Sequence, residues 1–230
     1  MKDRIFEDKQ VTISNFTFDN AVVSVFPDMI KRSIPGYETM ISMTGMLVAT
    51  KIKSAARVYD LGCSLGASTS AILDQNHSNN LEIIAVDNSK DMIEKAKDHV
   101  TDPRVKFVLD DVLNINIESA DAVVCNFIMQ FLPPETRLSF LEKILTGMNT
   151  GAILLLSEKV DEPFYISTHE AWKKANGYSD LEVEQKRQSL ERVMLVDSES
   201  AHLDRFESVG FKSVHQWYRC LNWASFMMHK

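Results

Sequence analysis

The chain has 230 residues, of which 45% are hydrophobic and 25% are charged. This profile suits one globular domain with a buried core and excludes a disordered or collagen-like protein. The 25 basic and 32 acidic side chains give a net charge of −7, so we expect no direct nucleic-acid binding, because phosphate backbones would be repelled.

No membrane segment or secretion signal is predicted. The longest purely apolar stretch is 152–156, far below the roughly 18 residues that a membrane-spanning helix needs. The first four residues begin a mixed-charge segment and not a basic signal region. Three cysteines without C-x-x-C spacing favour a reducing compartment. We therefore expect a cytoplasmic protein, and the histidine spacing predicts no metal site.

Residues 1–55 are predicted to be mainly helical. Apolar side chains recur at helical spacing between Phe18 and Ile30. The pair Pro35-Gly36 separates this helix from a second one around 40–51.

From Arg57 onward, short β-rich runs alternate with helical patterns, which is typical of βα units on a parallel sheet. Asn88 or Ser89 suits the N-cap of one helix, and Pro133-Pro134 suits the first turn of another. The pattern therefore predicts a three-layer α/β domain. The β-rich runs are 57–61, 82–86, 105–109, 120–125 and 152–156.

A polar helical insertion, about Asp161 to Leu195, follows the fifth of these runs. A later helix stops at Gly210, and two β-like runs then close the chain at 212–220 and 222–228. The tight connection between those runs predicts an antiparallel edge to the sheet.

We find no internal repeat, low-complexity tract or flexible linker, which predicts a single domain over 1–230. Residues 1–55 and 160–196 are expected to form a helical cap. The cap would lie above the strand ends, where open α/β sheets bind their ligands.

Gly62 and Gly66 lie where the first strand must turn into a helix, and their missing side chains let the backbone approach a ligand. Such a turn also occurs without any ligand, so the spacing alone leaves both interpretations open. Asp87 ends the next apolar run, in the position where a carboxylate accepts hydrogen bonds from ribose hydroxyls. Because parallel strands deliver their last residues into the ligand crevice, we favour this role over a solvated surface aspartate.

The next two strand ends add polar groups to the same crevice. Asp111 could accept an adenine amino proton while the backbone amide of Val112 meets a ring nitrogen. The Asn126 side chain offers a hydrogen-bond donor and an acceptor near the reacting end of the ligand, although Asn126 fits a turn equally well. Together with the glycine turn, these residues favour an adenosine-containing cofactor.

One alternative is a hydrolase. Residues 62–66 match G-x-S-x-G, which would make Ser64 a nucleophile, and His202, His215 and His229 follow in a possible triad order. A nucleophile elbow normally follows several strands and an oxyanion segment, whereas the chain before Arg57 is predicted to be helical. The cofactor interpretation is therefore favoured.

Arg187 shares one predicted helix face with Val183, Leu190 and Met194, at positions i, i+4, i+7 and i+11. The spacing predicts that Arg187 points to the packed side, where a guanidinium needs a carboxylate or phosphate partner. The guanidinium could instead extend to the solvent-exposed edge of the helix face or pair with an internal aspartate or glutamate. The spacing alone does not favour a ligand over these two alternatives.

Seven strings in this sequence carry a family resemblance: VFPDMI at 25–30, SIPGY at 33–37, YDLGCSLG at 59–66, NF at 126–127, LSEK at 156–159, ANGYS at 175–179 and QKR at 185–187. Over nearly the whole chain they resemble the carboxy-S-adenosyl-L-methionine synthase family. The resemblance implies a Rossmann-like class I methyltransferase fold, with a mostly parallel sheet, an antiparallel edge and a helical cap.

The family uses S-adenosyl-L-methionine and prephenate to make carboxy-S-adenosyl-L-methionine and phenylpyruvate. A separate tRNA carboxymethyltransferase then uses the product on wobble uridine. The resemblance also implies a homodimer. By motif, the nucleoside and methionyl parts would be held by Tyr37, Gly62, Cys63, Ser64, Asp87, Asn88, Asp111, Val112 and Asn126. Arg187 would bind the added carboxylate, as both a catalytic and a cofactor-binding residue.

In that chemistry the sulfonium acidifies its methyl group, and the resulting ylide captures carbon dioxide released from prephenate. The cap must exclude water for the ylide to survive. Arg187 would stabilise the nascent carboxylate through two parallel hydrogen bonds. The sequence identifies no general base, and the hydroxide leaving prephenate could serve instead. The region 160–173, near the expected prephenate side, looks shorter than is usual for the family.

Two other functions remain open at the level of sequence. One is an ordinary S-adenosylmethionine-dependent methyltransferase acting on a small molecule or tRNA. The other is a non-catalytic nucleoside-binding protein, which would retain Asp87 but would have no need for Arg187.

Overall fold

A computed structural model of the chain describes residues 1–53 and 55–230, and a seven-stranded sheet forms its centre. The strand order is β3-β2-β1-β4-β5-β7-β6. Strands β1 to β5 run parallel, whereas β7 is antiparallel to both β5 and β6. The strands are β1 (Ala56–Leu61), β2 (Leu81–Asp87), β3 (Val105–Leu109), β4 (Ala120–Asn126), β5 (Met148–Lys159), β6 (Lys212–Cys220) and β7 (Trp223–His229). The predicted mostly parallel α/β sheet with an antiparallel edge is confirmed.

Helices precede and connect these strands. Ser89, and not Asn88, is the N-cap of α4, since its side chain accepts a hydrogen bond from the Met92 amide. Pro134 begins a short 3₁₀ turn that leads into α5. The α-helices are α1 (Asn20–Ser33), α2 (Tyr37–Lys51), α3 (Ala67–Gln75), α4 (Lys90–His99), α5 (Arg137–Gly147), α6 (Ile166–Ala175), α7 (Asp180–Leu190) and α8 (Glu199–Val209). None of these described helices combines the length and apolar composition that crossing a bilayer requires.

Buried side chains hold helices against both faces of the sheet. Phe140 of α5 and Phe206 of α8 belong to the hydrophobic cluster on one face. Val48 of α2 and Ile72 of α3 belong to the cluster on the other. Full burial of one such side chain contributes about 1.5–3 kcal/mol, so these contacts account for the predicted three layers.

The two helices predicted before residue 55 are present as α1 and α2, but the N-terminal segment, residues 1–19, contains no helix, so the region is helical only from Asn20. The backbone of the N-terminal segment is held by side chains far away in the sequence. The Gln10 amide donates to Gln185 Oε1 at 2.7 Å, and Gln185 Nε2 donates to the Phe6 carbonyl at 2.9 Å. The Asp3 amide donates to Asp28 Oδ2 at 2.7 Å. These bonds satisfy backbone groups that a helix would otherwise pair.

Strand β5 is also longer than predicted at both ends, since it runs from Met148 to Lys159 and not from Ala152 to Leu156. Met148 is buried and pairs with Ala120, but residues 149–151 are exposed and polar. Apolar patterning detects only the apolar part of a strand, so it predicts neither the exposed start of β5 nor its polar end, although Ser157 and Glu158 are buried.

The insertion between β5 and α8 packs on the N-terminal helices. Lys186 Nζ of α7 donates to Ser33 Oγ at 2.9 Å, and His169 Nε2 of α6 lies 2.8 Å from the Ser33 carbonyl oxygen. The Arg32 guanidinium stacks 3.9 Å above the Tyr178 ring. Residues 1–55 and 160–196 therefore contact each other beside the sheet.

A first prediction concerns Gly45, where α2 and α3 approach closely. A Cβ atom at this position would lie 2.2 Å from the Ala71 carbonyl oxygen, and backbone atoms cannot move aside easily. We expect Gly45→Ala to lower the free energy of unfolding by about 1–2 kcal/mol, after the helical preference of alanine is included. Urea denaturation measures this. The matched control is Ser42→Ala at an exposed position of α2, with an expected change within about 0.5 kcal/mol. Equal stability of both variants would contradict the prediction.

Candidate functional site

The turn after β1 is built by glycine. The amides of Gly62 and Cys63 both donate to the Val86 carbonyl, at 2.8 and 2.9 Å, which holds the turn against β2. Gly62 has φ 73°, and a Cβ atom there would lie 1.9 Å from Cδ1 of Ile128. Only glycine therefore combines this backbone conformation with this contact.

Asp87, the last residue of β2, joins two turns through its carboxylate. Oδ2 accepts a hydrogen bond from the Ser64 amide and Oδ1 accepts one from the Ser89 amide, each at 2.9 Å. Burial raises the pKa of Asp87, and the two amide hydrogen bonds oppose that rise. Each carboxylate oxygen keeps the capacity to accept a further hydrogen bond, as two ribose hydroxyls would require.

A cavity of about 580 Å³ lies where β1, β2 and β4 end. Its lining includes nine of the ten residues predicted for the site, namely Tyr37, Gly62, Cys63, Ser64, Asp87, Asn88, Asp111, Val112 and Asn126. We call it the cofactor cavity. Asn126 Nδ2 donates to Ser68 Oγ at 3.2 Å, whereas the buried Asn126 Oδ1 has no hydrogen-bond partner among the described residues. A buried unpaired acceptor is unfavourable, so Oδ1 is a candidate ligand contact.

Two aromatic groups line the cofactor cavity. In the first group, the ring centroid of Phe18 lies 5.2 Å from that of Phe16 and 5.4 Å from that of Phe131. In the second group, the ring centroid of Phe127 lies 6.3 Å from that of Tyr37 and 5.4 Å from that of Trp223. These rings give the cavity apolar walls suited to flat ligand groups.

The hydrolase interpretation is not supported. Ser64 Oγ donates to Met92 Sδ at 3.4 Å, and across residues 1–53 and 55–230 no histidine lies within hydrogen-bonding distance of it. None of His202, His215 and His229 lines the cofactor cavity. Ser64 therefore lacks the base that a nucleophilic serine needs.

The prediction that Arg187 points to the packed side is wrong. Its side chain is 55% exposed and donates to Glu184 from Nε at 3.1 Å and from Nη2 at 2.7 Å. Helix α7 instead buries a mainly polar face, and it ends at Leu190, so Met194 does not continue the expected stripe. The buried residues of α7 are Glu182, Val183, Gln185, Lys186 and Ser189.

Arg187 lines a second cavity of about 570 Å³, which we call the outer cavity. The two cavities adjoin, since six residues line both: Lys159, His169, Lys173, Lys186, Leu190 and Met194. None of these six residues is assigned to the site from the sequence. Lys159 ends β5, so the strand-end argument applied to Asp87 could have found it, but no signal marked Lys173.

The shared wall is cationic and partly buried. Burial lowers the pKa of Lys186 to about 7 and that of Lys173 to about 8, and neighbouring cations add to both shifts. Burial also lowers the pKa of His169 to about 3, so this imidazole is neutral at physiological pH.

Glu158, next to Lys159, positions the turn after β4. Its carboxylate accepts hydrogen bonds from the amides of Ile128, Met129 and Gln130 at 2.9, 2.7 and 3.2 Å. Burial raises the pKa of Glu158 to about 8, and the three amide bonds oppose that rise. The carboxylate thereby holds Ile128 over Gly62.

A second prediction follows for Glu158. The variant Glu158→Gln replaces one acceptor oxygen by an NH₂ group, which leaves at least one buried amide unpaired. We expect the free energy of unfolding to fall by about 1–3 kcal/mol, measured by urea denaturation. Glu135→Gln, at an exposed position, is the control and should match the wild type. Unchanged stability of Glu158→Gln would show that the three amides do not depend on the carboxylate.

A third prediction concerns acid stability. The pKa of His169 is about 3 in the folded chain against 6.5 ordinarily, so its contribution to stability is complete above pH 6.5 and is lost as pH falls towards 3. Between pH 6.5 and 3, the free energy of unfolding of the wild type should therefore fall by up to about 1.4 kcal/mol more per pH unit than that of His169→Gln. Urea denaturation at pH 7, 6 and 5 measures the difference. His77→Gln at an exposed position serves as control, and parallel curves for wild type and His169→Gln would refute the assignment.

Solved structures show which fold this is. A putative O-methyltransferase from Nostoc punctiforme matches with a TM-score of 0.66 at 15% identity, covering 91% of this chain and 59% of that one. Human N-acetylserotonin methyltransferase, in complex with SAM, matches with a TM-score of 0.56 at 15% identity, covering 91% and 58%. Residues 58–151 also match the family described as "Methyltransferase domain". The fold is therefore the class I methyltransferase fold.

Relatives of higher identity span the whole chain. A protein from Actinobacillus succinogenes is 46% identical, covering 97% of each chain. One from Vibrio vulnificus is 47% identical, covering 97% of this chain and 95% of that one. Both are named carboxy-S-adenosyl-L-methionine synthase. Identity at this level over this length, in a chain whose motif residues surround one cavity, shows that it belongs to the carboxy-S-adenosyl-L-methionine synthase family.

Proposed function

We propose that this protein converts S-adenosyl-L-methionine and prephenate into carboxy-S-adenosyl-L-methionine and phenylpyruvate. The observation that supports this best is the convergence of nine motif residues on one cavity in a chain of this family. Asp87 would accept hydrogen bonds from the ribose hydroxyls, and Asp111 would accept one from the adenine amino group. Asn126 Oδ1, which has no partner among the described residues, would contact the methionyl part.

The proposed reaction balances without a protein base. As the prephenate ring becomes aromatic, it releases its ring carboxylate as carbon dioxide and its hydroxyl group as hydroxide. The hydroxide removes a proton from the sulfonium methyl group and becomes water. The ylide carbon then forms a bond to carbon dioxide, which gives the new carboxylate. The aromatic walls of the cofactor cavity favour this sequence because they limit the access of water to the ylide.

Arg187 is proposed to bind the carboxylate of the product after its side chain leaves Glu184. Exposed ion pairs contribute little to stability, so the Arg187–Glu184 pair does not fix the guanidinium where it lies. Arg187 lines the outer cavity, which adjoins the cofactor cavity. The side chain could therefore reach the cofactor cavity through the outer one. A planar guanidinium matches a carboxylate with two parallel hydrogen bonds.

A fourth prediction tests that role. In Arg187→Met, turnover with prephenate should fall at least about tenfold, because two charge-assisted hydrogen bonds to the product carboxylate are lost. The Kd for S-adenosylhomocysteine, which lacks that carboxylate, should stay within about twofold. Arg192→Met, also at an exposed position, is the matched control. Unchanged turnover in Arg187→Met would remove Arg187 from the reaction.

A fifth prediction concerns Asp87. Asp87→Asn loses the charge that ribose hydroxyls would meet, so the Kd for S-adenosylmethionine should rise about tenfold, equivalent to about 1.4 kcal/mol. Isothermal titration calorimetry measures it. Asp74→Asn, exposed on α3, should bind like the wild type. Wild-type affinity in Asp87→Asn would contradict the ribose assignment.

Mass spectrometry tests the function itself. The purified protein is incubated with S-adenosylmethionine and prephenate, and both products are sought. Phenylpyruvate together with a cofactor heavier by one carboxyl group supports the proposal. A cofactor that stays unchanged, or that is demethylated only when another acceptor is supplied, would overturn it in favour of a nucleoside-binding protein or an ordinary methyltransferase.

The family resemblance carries three further proposals. The protein would be a cytoplasmic homodimer, and a tRNA carboxymethyltransferase would consume its product. A net charge of −7 supports this division of labour, because a chain that need not touch RNA requires no basic surface.

A further inference from the structure

The wall between the two cavities carries two lysines, Lys159 and Lys173, that have no carboxylate partner in the part of the chain that the structure describes. Lys186 is anchored, since its Nζ donates to Ser33 Oγ at 2.9 Å and lies 3.8 Å from Asp3 Oδ2. Over residues 1–53 and 55–230, by contrast, no carboxylate oxygen lies within 4.0 Å of the ammonium of Lys159 or Lys173. Half-buried cations without a partner are unfavourable, and an anion between them would relieve this.

These two lysines belong to one continuous patch with an aromatic surface. Lys159 of β5 pairs directly with Trp223 of β7. The Trp223 ring centroid lies 6.0 Å from that of His169, and His169 and Lys173 occupy positions i and i+4 of α6, on one helix face. Trp223 also contacts Phe127 in the cofactor cavity, at a centroid distance of 5.4 Å. Aromatic side chains therefore continue from the cofactor cavity to Trp223 and His169, next to the two lysines in the strand pairing and on the helix.

The charges around the patch favour an anionic ligand of modest size. The acids nearest the two lysines, Asp161 and Glu170, line the outer cavity and not the cofactor cavity. The charged residues that line the cofactor cavity are four lysines, Lys31, Lys159, Lys173 and Lys186, and two aspartates, Asp87 at the end of β2 and Asp111 after β3. Burial and the neighbouring Lys159 charge lower the pKa of Lys173 to about 8, a shift that a bound anion would oppose.

We propose, on the basis of the function proposed above, that Lys159 and Lys173 form the subsite for the dicarboxylate co-substrate and bind the carboxylate that is not transferred. The migrating carboxylate must become neutral carbon dioxide. A cation paired with it would stabilise the ground state and oppose that step. The lysines therefore bind the retained 2-oxo acid carboxylate, while the ring lies along Trp223 and Phe127 with its migrating carboxylate towards the cofactor.

The test separates binding from turnover. Prephenate is titrated into protein saturated with S-adenosylhomocysteine, which has no methyl group to deprotonate, and the heat of binding gives the Kd. In Lys159→Met and in Lys173→Met this Kd should rise at least about tenfold, since each removes one charge-assisted contact. Lys173→Arg, which keeps the charge, should bind within about threefold of the wild type.

Lys174→Met is the matched control. Lys174 is the next residue of α6, but it is exposed and paired with Asp180 at 2.9 Å, so prephenate should bind this variant like the wild type. The Kd for S-adenosylhomocysteine, measured first, should be the same in every variant, which shows that each is folded. A wild type that does not bind prephenate, or lysine variants that bind it normally, would overturn the subsite. Displacement of prephenate by inorganic phosphate at equal affinity would also overturn it, because the site would then select charge alone.

The two proposals fail in different ways. Lysine-dependent binding of prephenate without any carboxylated product in the wild type would support the subsite and reject the proposed function. Carboxylated product together with unchanged prephenate affinity in both methionine variants would reject the subsite and keep the function.

Discussion

The carboxylate of Asp87 is the constraint on which the cofactor cavity depends. Its two oxygens bind the backbone amides of Ser64 and Ser89, so one side chain at the end of β2 fixes both the glycine turn and the start of α4. Glu158 at the end of β5 does the same for the turn after β4. Two acids, the partly buried Asp87 and the buried Glu158, thus hold the cavity walls in place before a ligand arrives, which reduces the ordering that binding would require.

The cofactor side of the site could be predicted because topology alone brings it together. Parallel strands end at one edge of the sheet, so Asp87, Asp111 and Asn126 share a cavity although they are distant in sequence. The orientation of α7 could not be found in this way, since periodicity detects apolar faces only. Gln185 and Lys186 are buried through polar partners supplied by the N-terminal segment and α1, and nothing local marks such partners.

The two halves of the site have different origins in the fold. Strand ends and the turns between them form the cofactor half, which any protein of this fold can build. The other half comes from the insertion, with α6 and α7, and from the end of β5 beside the antiparallel edge. In the proposed function, selection of the second substrate would lie in the insertion and at the end of β5, and not in the rest of the sheet, which is how one fold serves many reactions.

The buried side chain of Asp3 has a consequence for biosynthesis. Its carboxylate accepts a hydrogen bond from the Tyr178 hydroxyl at 2.6 Å, across 175 residues of sequence, and lies beside Lys186. A ribosome delivers the N-terminus first. The contacts of the Asp3 carboxylate with Tyr178 and Lys186 can therefore form only after α7 has been translated, so these distant segments join late in synthesis.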